Sequence, residues 1–156
     1  MTDRTTVEDV AFMRMALEEA SRATAVGEVP IAALIVNSEG VLSRSHNYRE
    51  TWQDPTAHAE IIAIRDAAAK LGTWRLINTT MYVTVEPCAM CFGAILLARI
   101  SRVVFGAWDV KAGACGSIFD LTKEPRLNHQ VVVQGGVMQD ESQRLLQSFF
   151  RELRSG

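Results

Sequence analysis

The chain has 156 residues, 48% hydrophobic and 22% charged, with 10 Gly and 4 Pro; this composition excludes disorder and low complexity and fits one domain, 1–156. Its 16 Lys plus Arg against 18 Asp plus Glu leave a net charge of −2, which excludes a strongly basic surface for tracking duplex DNA. Residues 1–98 carry 8 basic and 12 acidic side chains and residues 99–156 carry 8 and 6, so an anionic partner is expected at the C-terminal part.

In chain order, Thr5 and Glu8 read as a capping box opening a helix over Val7 to Ala25. Its apolar Val7, Val10, Met13, Leu17 and Ala20 recur at three- and four-residue intervals, and Gly27 ends it. Val29 to Val36 and Val41 to His46 read as strands joined in a hairpin at Asn37-Ser38-Glu39-Gly40. Arg49 to Thr56 reads as a polar loop broken at Asp54-Pro55, and a helix is predicted from Ala57 to Leu71 with Thr56 as N-cap and Gly72 as stop. A buried strand follows at Thr80 to Val85. A helix is predicted from Cys88 to Arg99, with Pro87 suited to its first turn. The remainder reads as a strand at Arg102 to Ala107, a long loop with a small helix, a strand at Val131 to Val133 and a helix from Glu141 to Arg154. Strands alternating with helices after the hairpin imply an α/β fold, a mixed or mostly parallel sheet with helices on both faces. Sites in such sheets lie beyond the carboxyl ends of strands, where helices begin.

No segment approaches ~18 consecutive apolar residues, so no membrane span is expected. Met1 to Asp9 lacks the apolar centre of a secretory signal, and a cytoplasmic location is expected. Three cysteines, Cys88, Cys91 and Cys115, make no disulfide framework in such a chain and point to metal binding or catalysis.

Cys88 and Cys91 stand three residues apart at a predicted helix N-terminus, where the dipole and unpaired amides favour thiolates. His58, at the start of another helix, supplies a third ligand of the kind zinc takes, leaving one tetrahedral position for a water that zinc acidifies. Glu60 converges with His58 only if one of them belongs to an irregular first turn; it then serves as a general acid/base beside the metal rather than as a ligand. A redox cysteine pair would leave His58-Ala59-Glu60 unexplained, and a closed structural site would need Cys115 as fourth ligand. His-x-Glu followed by Pro-Cys-x-x-Cys is the signature of zinc-dependent deaminases of nucleobases.

With these motifs in place, the chain resembles the bacterial tRNA-specific adenosine deaminases, which convert the wobble adenosine of an arginine tRNA anticodon to inosine. The likeness runs through Gly27-Glu28-Val29-Pro30-Ile31-Ala32-Ala33, His46-Asn47, Asp54 to Glu60, Trp74-Arg75-Leu76, Tyr82 to Cys88, Val104 to Ala107, Asn128-His129 and Phe149-Phe150. It implies a cytidine-deaminase-like three-layer α/β/α sandwich with a five-stranded mixed sheet, one zinc per subunit on His58, Cys88 and Cys91, and Glu60 as proton shuttle. It also implies a homodimer acting on a tRNA anticodon stem-loop. Asn47 matches the residue that hydrogen-bonds the flipped base, Asp109 and Asn128 match positions holding nucleotides around it, and Phe149, Phe150 and Arg151 match a terminal segment that meets the anticodon loop.

Asn47 could instead satisfy a turn, and one of Phe149 and Phe150 is expected to be exposed. Phe92 stands where the family usually has alanine, so the helix behind the zinc is expected to pack differently. Trp108 before Asp109 reads equally as a base-stacking or a loop-packing residue. Two competing readings share the zinc set: a deaminase of free guanine or cytosine compounds, and a catalytically silent subunit, which the presence of Glu60 opposes.

Overall fold

Helix α1 (Val7–Ala25) carries a capping box one residue later than the local pattern suggests. In the computed structural model, which describes residues 5–155, the pair is Thr6 and Asp9 rather than Thr5 and Glu8. The Asp9 N–H donates to Thr6 Oγ1 at 3.1 Å and the Thr6 N–H to Asp9 Oδ2 at 2.9 Å. Partners far along the chain fix this choice. Arg102 grips both Asp9 oxygens at 2.7 and 2.8 Å, and the Tyr82 hydroxyl donates to Oδ1 at 2.8 Å.

Strands β1 (Ala32–Asn37) and β2 (Gly40–His46) form the expected hairpin. β1 begins later than Val29 because Pro30 has no N–H to give and the Ile31 N–H turns back to the Val29 carbonyl at 2.8 Å. β3 (Thr80–Val85) pairs antiparallel with β1, then β4 (Arg102–Ala107) and β5 (Val132–Gln134) continue in parallel, giving the order β2-β1-β3-β4-β5. The sheet is therefore mixed and five-stranded, as the resemblance implies.

Alternating residues of the central strands feed two cores, following the two-residue period of a strand. Ala33, Ile35, Met81, Val83, Val103 and Phe105 face α3 (Ala59–Leu71) and α4 (Ala89–Ala98), whose Ala63, Phe92 and Ile95 close the layer. Leu34, Val36, Tyr82 and Val104 face α1 through Met13 and Leu17, with α5 (Gln139–Ser155) alongside. Phe92 is fully buried in the first core, the accommodation its bulk requires. Among the described residues no helix is long and apolar enough to cross a membrane.

Two local departures shape the site. The predicted polar loop contains a one-turn helix, α2 (Arg49–Trp52). The next helix starts at Ala59, not Ala57, because both the N–H and the hydroxyl of Thr56 are spent on Asp54 Oδ1, each at 2.8 Å. His58 takes the N-cap position in an extended conformation, φ −74° and ψ 151°. Pro87 likewise lies just outside α4, whose N-cap is Cys88, also extended.

Candidate active site

The N-termini of α3 and α4 meet beyond the carboxyl end of β3. Their two N-cap residues, His58 and Cys88, lie beside Cys91 of the first turn of α4, and the ligand atoms of the three all fall within 4.8 Å of one another. His58 turns Nδ1 to the sulfurs, 3.7 Å from Cys88 Sγ and 3.4 Å from Cys91 Sγ. With zinc–sulfur bonds of about 2.3 Å and zinc–nitrogen bonds of about 2.0 Å, a tetrahedral angle sets nitrogen and sulfur about 3.5 Å apart. The observed distances bracket that value, and two sulfurs with one imidazole are a zinc-type donor set.

The protons of the trio are shared. The Cys91 thiol hydrogen-bonds to Cys88, and with His58 this holds the Cys88 thiol down to about 4. The same contact and burial push the Cys91 thiol up, while the Cys88 sulfur raises His58 above its ordinary value. A thiolate in this pair is stabilised only by borrowing a proton from its neighbour, which a dication would replace for both.

Glu60 is buried beside these ligands but is not one of them. The extended N-cap of His58 supplies the irregular turn that allows residues 58 and 60 to converge. Burial pushes the Glu60 carboxyl up to about 7, against the pull of His58 and a hydrogen bond with Cys91. A carboxyl that titrates near neutrality exchanges protons readily in both directions. Cys115 lies outside the cluster: its side chain packs in the apolar core, its N–H donates to Glu86, and burial pushes its thiol up.

The family model for the cytidine and deoxycytidylate deaminase zinc-binding region matches residues 6–107, which include all four of these residues. The chain belongs to this family. A tRNA-specific adenosine deaminase of Bacillus subtilis is 48% identical over 147 residues, spanning 94% of this chain and 91% of that one. A solved structure from studies of A-to-I editing by tRNA:A34 deaminases at the wobble position of transfer RNA is 43% identical, with a TM-score of 0.83, covering 87% of this chain and 99% of its own. A guanine deaminase of Bacillus subtilis is more distant, at 28% identity and a TM-score of 0.64 over 97% of this chain and 96% of that one.

In this deaminase the loop after β4 is drawn onto the cysteine segment by a residue that sequence reasoning missed. Glu86, buried, accepts from the N–H groups of Asp109 (2.9 Å), Cys115 (2.9 Å) and Ser117 (3.1 Å) and from the Ser117 hydroxyl. The loop then pairs through Gly113 with Cys88, and the Ala114 N–H reaches the Pro87 carbonyl at 2.9 Å. A Cβ on Gly113 would stand 2.2 Å from the Glu86 carboxyl carbon, so only glycine fits there. The signal in the sequence was the buried-strand context of Glu86 between Val85 and Pro87, where a carboxylate needs partners.

The residues expected to hold RNA are placed unevenly. Asn47 is buried at the end of β2; its Oδ1 accepts from the Arg49 N–H at 3.1 Å, so it does satisfy a turn, while Nδ2 has no acceptor among the described residues. Asp109 uses Oδ1 on the Lys111 and Ala112 N–H groups, at 3.0 and 3.2 Å. Asn128 is exposed in the loop before β5. On α5, Phe149 is buried and Phe150 exposed, their rings meeting edge-on at 5.4 Å, and Arg151 is exposed. α5 packs on α1, β3 and β4, across the sheet from α3 and α4, so these three residues stand apart from the metal trio. Trp108 packs edge-on against Phe105 at 4.8 Å, the loop-packing role.

Proposed function

We propose that the protein hydrolytically deaminates adenosine to inosine at the wobble position of a tRNA anticodon, with arginine tRNA as the expected substrate. The observation that carries the chemistry is the meeting of His58, Cys88 and Cys91 with a buried Glu60 at two helix N-termini. The substrate follows the relatives: the tRNA enzyme of Bacillus subtilis is 48% identical over 94% of the chain, whereas the guanine deaminase is 28% identical over 97% of it.

When bound by His58, Cys88 and Cys91, zinc supplies a Lewis acid that makes water a nucleophile at neutral pH. Glu60 would take one proton of the attacking water and deliver it to the ring nitrogen as oxygen bonds to the amine-bearing carbon, then carry the remaining hydroxyl proton to the amine, so that the carbon–nitrogen bond breaks and ammonia leaves. The dipole at the start of α4 would stabilise negative charge developing there. Asn47 Nδ2 is available to the base. Asp109 belongs to the loop drawn onto the cysteine segment; Asn128 stands at the other end of the sheet, beside His129, whose ring meets the Ile100 carbonyl before β4, so its contact would be with a more distant nucleotide. Phe150 and Arg151 offer a stacking face and a cation to the rest of the anticodon loop.

The active unit is proposed to be a homodimer. Met90, Gly93, Ala94 and Leu97 form an outward apolar stripe on α4, with Leu97 exposed, which supports burial against a second copy.

The test is inosine and ammonia release from an anticodon stem-loop, with the wobble adenosine replaced by guanosine or cytidine and with free guanine and cytidine as further substrates. Inosine from the adenosine stem-loop alone is expected. Turnover of a free base with none of the stem-loop would favour the second reading. Glu60→Gln is expected to retain zinc and lose at least ~10³ in turnover; normal turnover in that variant would remove Glu60 from its role.

A further inference from the structure

Three rings beside the site form a ladder that ends in solvent. His46 and Tyr48 stack at 4.3 Å with planes 13° apart, and Tyr48 and Trp52 at 4.7 Å and 23°. Exposure rises along the ladder: His46 is buried, Tyr48 half-buried and Trp52 50% exposed. The three rungs come from the end of β2 and from α2, and both are fixed to the site. The Tyr48 N–H donates at 3.0 Å to the carbonyl of Ala57, the residue before His58. A one-turn helix does not hold itself together. Here the fully buried Glu28 carboxylate holds it, accepting from the N–H of Glu50 at 3.2 Å, the N–H of Thr51 at 2.6 Å and the Thr51 hydroxyl at 2.5 Å.

The other two tryptophans are used differently. Trp74 is covered by Arg75 at 4.4 Å and lies 5.9 Å from Arg99, and Trp108 meets Phe105 edge-on. Trp52 lies nearly parallel on one ring, and among the described residues no other ring or cation covers it. The immediate surroundings are polar: Arg49 is exposed and makes no ion pair among the described residues, and Thr51 and Gln53 are exposed. A single indole face with a polar, cationic rim suits a planar base beside a phosphate rather than a lipid or an apolar peptide.

We propose that the open face of Trp52 stacks an unpaired base of the RNA substrate, a neighbour of the adenosine that reacts, and that the His46–Tyr48–Trp52 ladder sets where that base sits. This deepens the RNA-deaminase reading and rests on it. Trp52 acts here as a positioning residue for the substrate, apart from the metal trio and Glu60.

The experiment uses the zinc-loaded full chain and a stem-loop series in which each unpaired nucleotide flanking the target adenosine is made abasic in turn. Wild-type protein must first form inosine on the intact stem-loop; if it forms none, the RNA-deaminase reading falls, and this proposal with it. Given inosine, Trp52→Ala and Trp52→Leu are expected to raise KM about ten-fold with kcat within about two-fold, and Trp52→Phe to stay near wild type, a stacking-sized effect. One abasic position is expected to raise the wild-type KM by a similar factor and to leave the Trp52→Leu KM unchanged. Wild-type KM in Trp52→Leu, or abasic effects equal in both proteins at every position, would overturn the proposal while leaving the deaminase reading intact. An abasic series without effect at any position on wild-type protein would overturn the proposal even if a Trp52 variant folds poorly.

Discussion

Four buried carboxylates, Asp9, Glu28, Glu60 and Glu86, are each held by a different set of donors, and the donors decide what each one does. Asp9 pairs with Arg102, Tyr82 and Thr6. Burial alone would raise its pKa, but the Arg102, Thr6 and Tyr82 hydrogen bonds carry it down from 3.8 to about 2. Because the folded value lies below the unfolded one, its contribution is complete above about pH 4 and lost as the pH falls through about 2. A difference of that size corresponds to about 2 kcal/mol. Asp9→Asn is expected to cost about 3 kcal/mol near neutrality, since the buried charge-assisted contacts of Arg102 and Tyr82 with the carboxylate are lost, and to flatten stability against pH between 4 and 2. Urea denaturation across that range checks it, and an equally steep acid decline in the variant would remove Asp9 as the cause. Glu86 has a different task. Its two oxygens receive three N–H groups and a hydroxyl, whereas the amide of Glu86→Gln would turn an NH₂ towards some of those donors. The variant is expected to lose about 2 kcal/mol, keep zinc, and drop at least about ten-fold in kcat/KM as the loop leaves Cys88. Metal analysis beside stem-loop kinetics separates these effects; unchanged kcat/KM would make the Glu86 cluster merely structural.

At the scale of elements, what the sequence discloses follows the range of the forces involved. β3 and β4 occur where the apolar runs place them, and α1 where its helical periodicity does, because burial acts on the whole run. The metal trio was legible for the same local reason: His58, Cys88 and Cys91 sit at two helix starts whose spacing is visible in the chain. The ends and the small pieces were not. α3 starts at Ala59 because Asp54 captures Thr56, α2 exists because Glu28 reaches 22 residues along the chain, and the capping box shifts because Arg102 lies 93 residues from Asp9. Glu86 and the ring ladder share that invisibility. The split also predicts the response to metal loss. The two apolar cores lie along the sheet and do not include His58 or Cys88, so chelation is expected to leave far-UV circular dichroism nearly unchanged, unlike a zinc finger. The N-termini of α3 and α4 lose their tie, and Tm is expected to fall by roughly 5 °C and recover on zinc addition. Scanning calorimetry with and without chelator checks this; a metal-free chain that is unfolded would contradict the independence of the cores.

For the whole molecule, a net charge of −2 excludes a broad basic field, yet RNA recognition asks for cations only where phosphates pass. Most basic residues of the C-terminal part are already engaged. Arg102 holds Asp9, Arg99 lies near Trp74, and Arg126, Lys123 and Arg144 pair with Glu124, Asp120 and Glu141. Lys111, Arg151 and Arg154 make no ion pair among the described residues, and neither does Arg49 beside the ring ladder. If about four such cations meet phosphates of a largely single-stranded loop, the logarithm of the binding constant should fall with the logarithm of salt concentration with a slope of about −3. Binding of an anticodon stem-loop to Glu60→Gln, which is expected to hold substrate without turning it over, measures this between low and physiological salt. A slope steeper than about −5 would require about seven phosphate contacts, more than these four cations supply. A slope near zero would leave stacking and base contacts alone to hold the RNA. A slope near −3 that becomes shallower by about 0.7 in Arg151→Ala places one phosphate on α5, across the sheet from the metal trio, and so requires the bound loop to reach around the edge of the molecule.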